Sequence, residues 1–212
     1  MMWNIRKKLI ANNHLDEERE MDFTALVLTR KQKTGQAFTQ RQFVWKRWQS
    51  RDEWQLPRLE KDLSLCAKAA DRYPNNYHAW NHRAWVVGLV MEEFLLRSEL
   101  EFSSSWIQTH VSDHSGVNYR EHLLLSVKSV LPAEFAKFVE RDLRLCSELI
   151  KMFPGHEALW NFRRFLVKSS HTSGVNRNEL IAKERCFCAD VLGDSDQKRL
   201  ADKHLEWLDK FL

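Results

Sequence analysis

The sequence predicts an all-α fold, a solenoid of stacked helical hairpins, and three observations carry that reading. Glycine and proline together number only 10 of 212 residues, against roughly 12% for the pair in ordinary proteins, so the turn formers of sandwiches, barrels and Gly-rich nucleotide-binding domains are scarce. Tryptophan runs the other way, with 9 residues. Most tellingly, the chain repeats itself. Trp-Asn-x-Arg occurs at Trp3–Arg6, Trp80–Arg83 and Trp160–Arg163, with degenerate copies at Phe38–Arg41 and Val117–Arg120. The five arginines are spaced by 35, 42, 37 and 43 residues, a period typical of helical repeat arrays.

A second mark confirms the register. An acid stands 21 residues before four of these arginines, at Glu20, Asp62, Glu99 and Asp142, and apolar residues follow each acid at one and three positions. Each unit therefore has room for an acid-led first helix, a turn and a second helix bearing the Trp-x-x-Arg signature. Taken in order, WNIRKKLI at the start reads as a second helix, which places the chain's beginning inside a repeat and predicts a truncated, uncapped N-terminal end. The Glu20 helix and AFTQRQFVW form the next hairpin. Pro57 sits where a first helical turn tolerates proline; the helix it opens contains KDLSLC and ends near Tyr73, before the turn PNN at 74–76 and the helix of Trp80. The Glu99 helix and GVNYREHLL follow. Pro132 opens a helix containing RDLRLC that ends near Phe153, before the turn PGH at 154–156 and the helix of Trp160. Residues 176–212 hold two more helices, the second without the signature, as suits a terminal cap. All of this is one repeat domain over residues 1–212.

Within a hairpin, Trp and Arg three apart share one helix face. The tryptophans are packing residues, and the arginines can bond helix-end carbonyls or an acid of an adjacent layer. A direct Arg83–Asp62 pair inside one hairpin is possible only at full stretch, since the two levels differ by roughly 7 Å. Cys66 and Cys146 occupy equivalent apolar positions and belong to the core, whereas Cys186 and Cys188 point to different faces of one helix and cannot share a metal. His78 and His82 have the i, i+4 spacing of a metal pair, but no third ligand is evident.

Charge narrows the function classes. The 33 basic and 29 acidic side chains are interleaved, and the net charge of +4 is far from the clustered basic stripe of a nucleic-acid binder. No apolar run reaches 18 residues, no signal peptide is visible, and the cysteine usage fits a reduced, cytoplasmic compartment.

The motif PNNYHAWNHRAW resembles the repeats of protein prenyltransferase alpha subunits, and the likeness runs from Trp3 to about Leu192. That resemblance implies a right-handed α-α superhelix wrapping a catalytic beta subunit, here the Rab geranylgeranyltransferase beta subunit, as one half of a heterodimer. It also implies that the beta subunit holds the zinc that activates the cysteine thiol of the protein substrate. This chain would then need no metal or cofactor of its own, with geranylgeranyl diphosphate as the co-substrate. By the same likeness, the alpha chain contributes side chains to the lipid diphosphate: a Tyr-His pair, matching Tyr77 and His78, and a lysine from the preceding repeat, matching Lys33. The lysine turn reads Gln32-Lys33-Thr34-Gly35 instead of the family's Pro-Lys-Asn-Tyr, and a slip of two residues would select Lys31. Beside this stands the alternative of a non-catalytic helical scaffold for protein–protein interaction.

Overall fold

The computed structural model describes residues 2–53, 55–90, 92–191, 193 and 195–212. Leu192, where the family likeness is expected to fade, lies outside the described residues. Among those described there are eleven α-helices and no strand. They fall into two units, residues 1–91 and 92–212.

The first unit holds α1 (Met2–Ala11), α2 (Glu17–Arg30), α3 (Gly35–Ser50), α4 (Leu56–Arg72) and α5 (Tyr77–Val90). Hairpins α2/α3 and α4/α5 stack in two layers: α2 lies on α4, while α1 lies on α3 and α3 on α5. Asp16 caps α2 through its side chain, which accepts from the Arg19 amide at 2.9 Å, and Pro57 sits in the first turn of α4, where its missing N–H costs nothing. The outward face of α1 leaves Met2, Ile5 and Leu9 exposed.

The second unit holds α6 (Glu93–Thr109), α7 (His114–Val130), α8 (Phe135–Met152), α9 (Glu157–Thr172), α10 (Arg177–Asp190) and α11 (Ser195–Phe211). Pro132 opens a short 3₁₀ turn, Pro132–Glu134, ahead of α8. Hairpins α6/α7, α8/α9 and α10/α11 again bring second helices together, α7 on α9 and α9 on α11. The signatures at Phe38, Trp80, Val117 and Trp160 fall on the second helices of their hairpins, and that at Trp3 falls on α1. Trp80 and Trp160 are buried, and Trp3 is half-buried against Phe23.

A ladder of buried and part-buried ion pairs joins the layers within each unit. Arg6 bonds Glu20, Arg41 bonds Asp62 at 2.7 Å, Arg120 bonds Asp142 at 2.6 Å, and Arg163 bonds Glu184 at 2.6 Å. In each case the arginine of one layer takes the acid of the following layer. The Asp62 carboxylate is thus bonded by Arg41 of the preceding layer, in line with an arginine that takes an acid of an adjacent layer. Within its own hairpin, the guanidinium donates through Nη1 to the carbonyl one residue after the acid: Arg41 to Met21 at 2.7 Å, Arg83 to Leu63 at 2.7 Å and Arg120 to Leu100 at 2.6 Å. Only a planar fork with several donors can serve a carbonyl on one side and a carboxylate on the other, which is why lysine would not substitute. A second partner completes several acids from 20 residues on: His82 Nε2 lies 3.0 Å from Asp62, the Tyr119 hydroxyl donates to Glu99 at 2.5 Å, and His204 Nε2 lies 2.9 Å from Glu184.

Candidate functional site

The candidate site lies where the α2–α3 turn meets the α4–α5 turn in the first unit. Pro74 ends α4 by forcing the residue before it out of helical geometry, and Tyr73 accordingly takes φ −136° and ψ 101°. Asn75 then adopts a left-handed φ of 55°, a conformation asparagine tolerates better than most residues. Buried Asn76 joins the two turns. Its Nδ2 donates to the Gln32 carbonyl at 2.8 Å and the Ala69 carbonyl at 3.1 Å, while its Oδ1 accepts from the Ala79 amide at 3.3 Å. The last of these bonds caps α5, and the first carries the neighbouring turn, with Lys33, to the start of α5.

The three residues singled out from the sequence come together there. The rings of Tyr77 and His78 lie 4.0 Å apart, and Lys33 Nζ stands 5.7 Å from the centre of the Tyr77 ring and 4.8 Å from that of Tyr73. Lys31 lines a cavity of about 460 Å³ with Met2, Trp3 and Leu26. Gly35, the first residue of α3, makes the approach of His78 possible, because a Cβ there would sit 2.5 Å from the imidazole Cε1. Burial and the Lys33 charge hold the His78 imidazole below its usual range, so at neutral pH it is an uncharged hydrogen-bonding group. Thr34 precedes α3 without a side-chain cap, and the positive end of that helix adds to the Lys33 charge. Chemically the edge offers, among the described residues, the Lys33 cation, the phenols of Tyr73 and Tyr77, the neutral His78 imidazole and a helix N-terminus, a set suited to phosphate oxygens.

The second histidine of the i, i+4 pair has a different environment. His82 turns into the core, where Asp62, Cys66 and His82 have ligand atoms within 4.8 Å of one another. Here the carboxylate is already saturated: Oδ1 accepts from Arg41, and Oδ2 accepts from Trp45 and lies beside His82. Although burial would raise the Asp62 pKa, the Arg41 and His82 charges and the bonds from His82 and Trp45 hold it well below the usual carboxylate range. A cation would have to displace the guanidinium, so the cluster reads as part of the layer ladder. Burial also disfavours the thiolate form of Cys146 and Cys188. It pushes Cys146 up to about 12 and Cys188 up to about 11, and Cys146 donates to the Leu159 carbonyl at 3.2 Å. Cys186 is exposed and Cys188 buried, on different faces of α10.

Sequence reasoning did not find Tyr73, Asn76 or Gly35. The extended geometry at Tyr73 was readable from the proline after it, and Asn76 from its place just before the second helix. The close pass of His78 over Gly35 depends on the stagger of two turns and leaves no trace in the period.

Comparison with known proteins agrees with the fold of helical hairpins. The family model of the protein prenyltransferase alpha subunit repeat matches residues 59–89, 96–127 and 139–170, which fall on the α4/α5, α6/α7 and α8/α9 hairpins. The chain is 31% identical to protein prenyltransferase alpha subunit repeat-containing protein 1 of Danio rerio, over 87% of this chain and 58% of that one. With the Homo sapiens protein of the same name it shares 28% identity, over 80% of this chain and 55% of that one. A more distant relative is the geranylgeranyl transferase type-2 subunit alpha of Schizosaccharomyces pombe, 21% identical over 52% of this chain and 35% of that one. The chain spans a little over half the length of the repeat-containing relatives it matches. The α4/α5, α6/α7 and α8/α9 hairpins of this chain match protein prenyltransferase alpha subunit repeats, and its similar relatives are proteins named for those repeats.

Proposed function

We propose that this chain is the alpha-type subunit of a heterodimeric protein geranylgeranyltransferase, inactive alone, which completes the active site of a beta subunit, the Rab geranylgeranyltransferase beta subunit, in the cytoplasm. The observation that carries the reading is the meeting of Lys33, Tyr77 and His78 on one turn edge. In the reaction, a bond forms between the substrate cysteine sulfur and C1 of the geranylgeranyl group while the C1–oxygen bond to diphosphate breaks. Zinc held by the beta subunit would lower the pKa of the cysteine thiol so that it reacts as the thiolate, its proton passing to solvent. Negative charge grows on the departing diphosphate, and groups already aimed at it lower the barrier. Lys33 brings the positive charge, Tyr77 donates its hydroxyl proton in a hydrogen bond, and His78, neutral at pH 7, donates one ring N–H.

The test is co-expression with the beta subunit, a pull-down, and transfer of labelled geranylgeranyl diphosphate to a cysteine-containing acceptor. A stable complex with transfer activity is expected. Lys33→Met, and Tyr77→Phe combined with His78→Ala, should each lower kcat by about 10²-fold, the scale of one lost charge-stabilising donor. Absence of any stable complex would sink the proposal. A complex that transfers the lipid equally well without Tyr77 and His78 would favour the non-catalytic scaffold.

A further inference from the structure

We propose that Tyr73 is a positioning residue for Lys33: its ring, with that of Tyr77, brackets the ammonium and holds it at the turn edge beside His78. The inference rests on the diphosphate reading above and adds a residue that the repeat motif does not contain. Three observations carry it. Lys33 is exposed and has no carboxylate partner among the described residues, so its charge is not spent on an ion pair. The two groups that do hold the ammonium are aromatic faces, Tyr73 at 4.8 Å and Tyr77 at 5.7 Å, both within cation–π range. Finally, Tyr73 is 44% exposed and Tyr77 48%, whereas a tyrosine kept only for packing would be buried.

The backbone explains how Tyr73 comes to this place. Pro74 makes it leave the helical path at the end of α4, and the tight turn through Asn75 brings Tyr77 back onto the same edge four residues later. Lysine is a flexible point charge on a four-carbon stem. Free in solvent, it would spend most of its time away from any bound anion. Held beside two rings that carry no counter-charge, it is pre-placed, still unneutralised and exposed to an incoming phosphate oxygen.

Kinetics of the complex with the beta subunit give one arm of the test. Tyr73→Leu should raise KM for geranylgeranyl diphosphate roughly two- to fivefold, the fold-change of one exposed cation–π contact, and Tyr73→Phe should restore the wild-type value because it keeps the ring. In a Lys33→Met background, Tyr73→Leu should have no further effect. Loss in Tyr73→Phe equal to that in Tyr73→Leu, or full additivity with Lys33→Met, would overturn the positioning role. The second arm does not depend on transfer. With ¹³C-labelled histidine in this chain, and His78 assigned through His78→Gln, NMR titration should show Lys33→Met moving the His78 midpoint up. Tyr73→Leu should move it less in the same direction, and Tyr73→Phe should leave it in place. If no complex forms but the His78 midpoint follows Tyr73 in this way, the clamp stands and the enzyme reading falls. If transfer needs Lys33 while Tyr73→Leu moves neither KM nor the midpoint, the clamp falls and the enzyme reading stands. Thermal melts on each variant separate these outcomes from misfolding.

Discussion

In residues 1–91 two neighbouring turns bring together a lysine, two tyrosines and a histidine. Residues 92–212 build turns of the same register with other chemistry. Where the first unit has Tyr77–His78, the second has His114–Ser115 in one repeat and Glu157–Ala158 in the next. Its turn side chains are engaged within the protein: the Ser112 hydroxyl pairs with His156 Nδ1 at 2.7 Å, and Asp113 accepts from both the Ser115 amide and the Trp106 indole. The ladder, by contrast, is common to both units. Arg41–Asp62 and Arg120–Asp142 have nearly the same length and near-complete burial. What recurs in every repeat is therefore packing, and what departs from the repeat at a turn is where chemistry can be placed, since the turn constrains only a cap residue and a backbone angle.

The largest expected effect breaks the common part. Arg120 and Asp142 are both fully buried, so Arg120→Met strands a carboxylate in the core and should cost about 3–5 kcal/mol. The double variant Arg120→Met with Asp142→Leu should recover most of that loss, because an apolar pair of similar volume carries no desolvation penalty. Arg6→Met, in the first unit, should cost distinctly less, since the Arg6 side chain is 23% exposed and water can reach its carboxylate partner when it is removed. Urea unfolding curves check the order. A double variant no more stable than Arg120→Met would show that the ladder does more than pair charges.

Acid sensitivity sharpens the same comparison. The folded-state pKa of Asp62 is depressed by its partners, and so is that of Glu184, where burial is outweighed by the bond from His204 and by Arg163. A depressed carboxylate contributes stability that is complete above its unfolded pKa, near 4, and is lost as pH falls toward the folded value. Each such group removes about 1.4 kcal/mol per pH unit over that window. Both units should hence weaken below about pH 4, and Asp62→Asn should flatten this limb for the first unit only, at the cost of lower stability at pH 7. Hydrogen exchange on amides of α4 and α10 across pH 3–6 would resolve the two.

The hairpins, their boundaries and the acid–arginine register were legible in the sequence because each is repeated, and repetition exposes helix faces. Which arginine meets which acid was not. Asp62 stands 21 residues after Arg41 and 21 before Arg83, so the spacing itself cannot separate the preceding hairpin from its own. Three-dimensional stagger decides: Nη1 reaches the home carbonyl at Leu63 or its equivalents, and the rest of the guanidinium faces the next layer. Tyr77, His78 and Lys33 could be picked out through a family motif, yet nothing in the spacing alone chose Lys33 over Lys31. What the structure adds is the position of the Lys33 ammonium beside the Tyr73 and Tyr77 rings, which depends on the stagger of two turns.

Two helical glycines, one in each unit, carry the comparison to its smallest effect. Gly116, at the start of α7, faces the Trp106 indole, where a Cβ would lie 2.9 Å from Cδ1 and Nε1 and 3.0 Å from Asp113 Oδ2. Trp106 is buried and bonded to Asp113, so neither neighbour can give way, and Gly116→Ala should cost about 1–3 kcal/mol of overpacking. Gly35, at the start of α3, faces the His78 imidazole even more closely. But His78 is half-buried and can swing outward, and alanine in a helix lowers the entropy of the unfolded chain. Gly35→Ala should therefore melt within about 0.5 kcal/mol of the unsubstituted chain, while its displaced imidazole loses contact with the Lys33–Tyr77 edge and transfer by the complex drops. If Gly35→Ala proves as destabilising as Gly116→Ala, His78 is a packing residue like Trp106, and the two units differ in sequence but not in purpose.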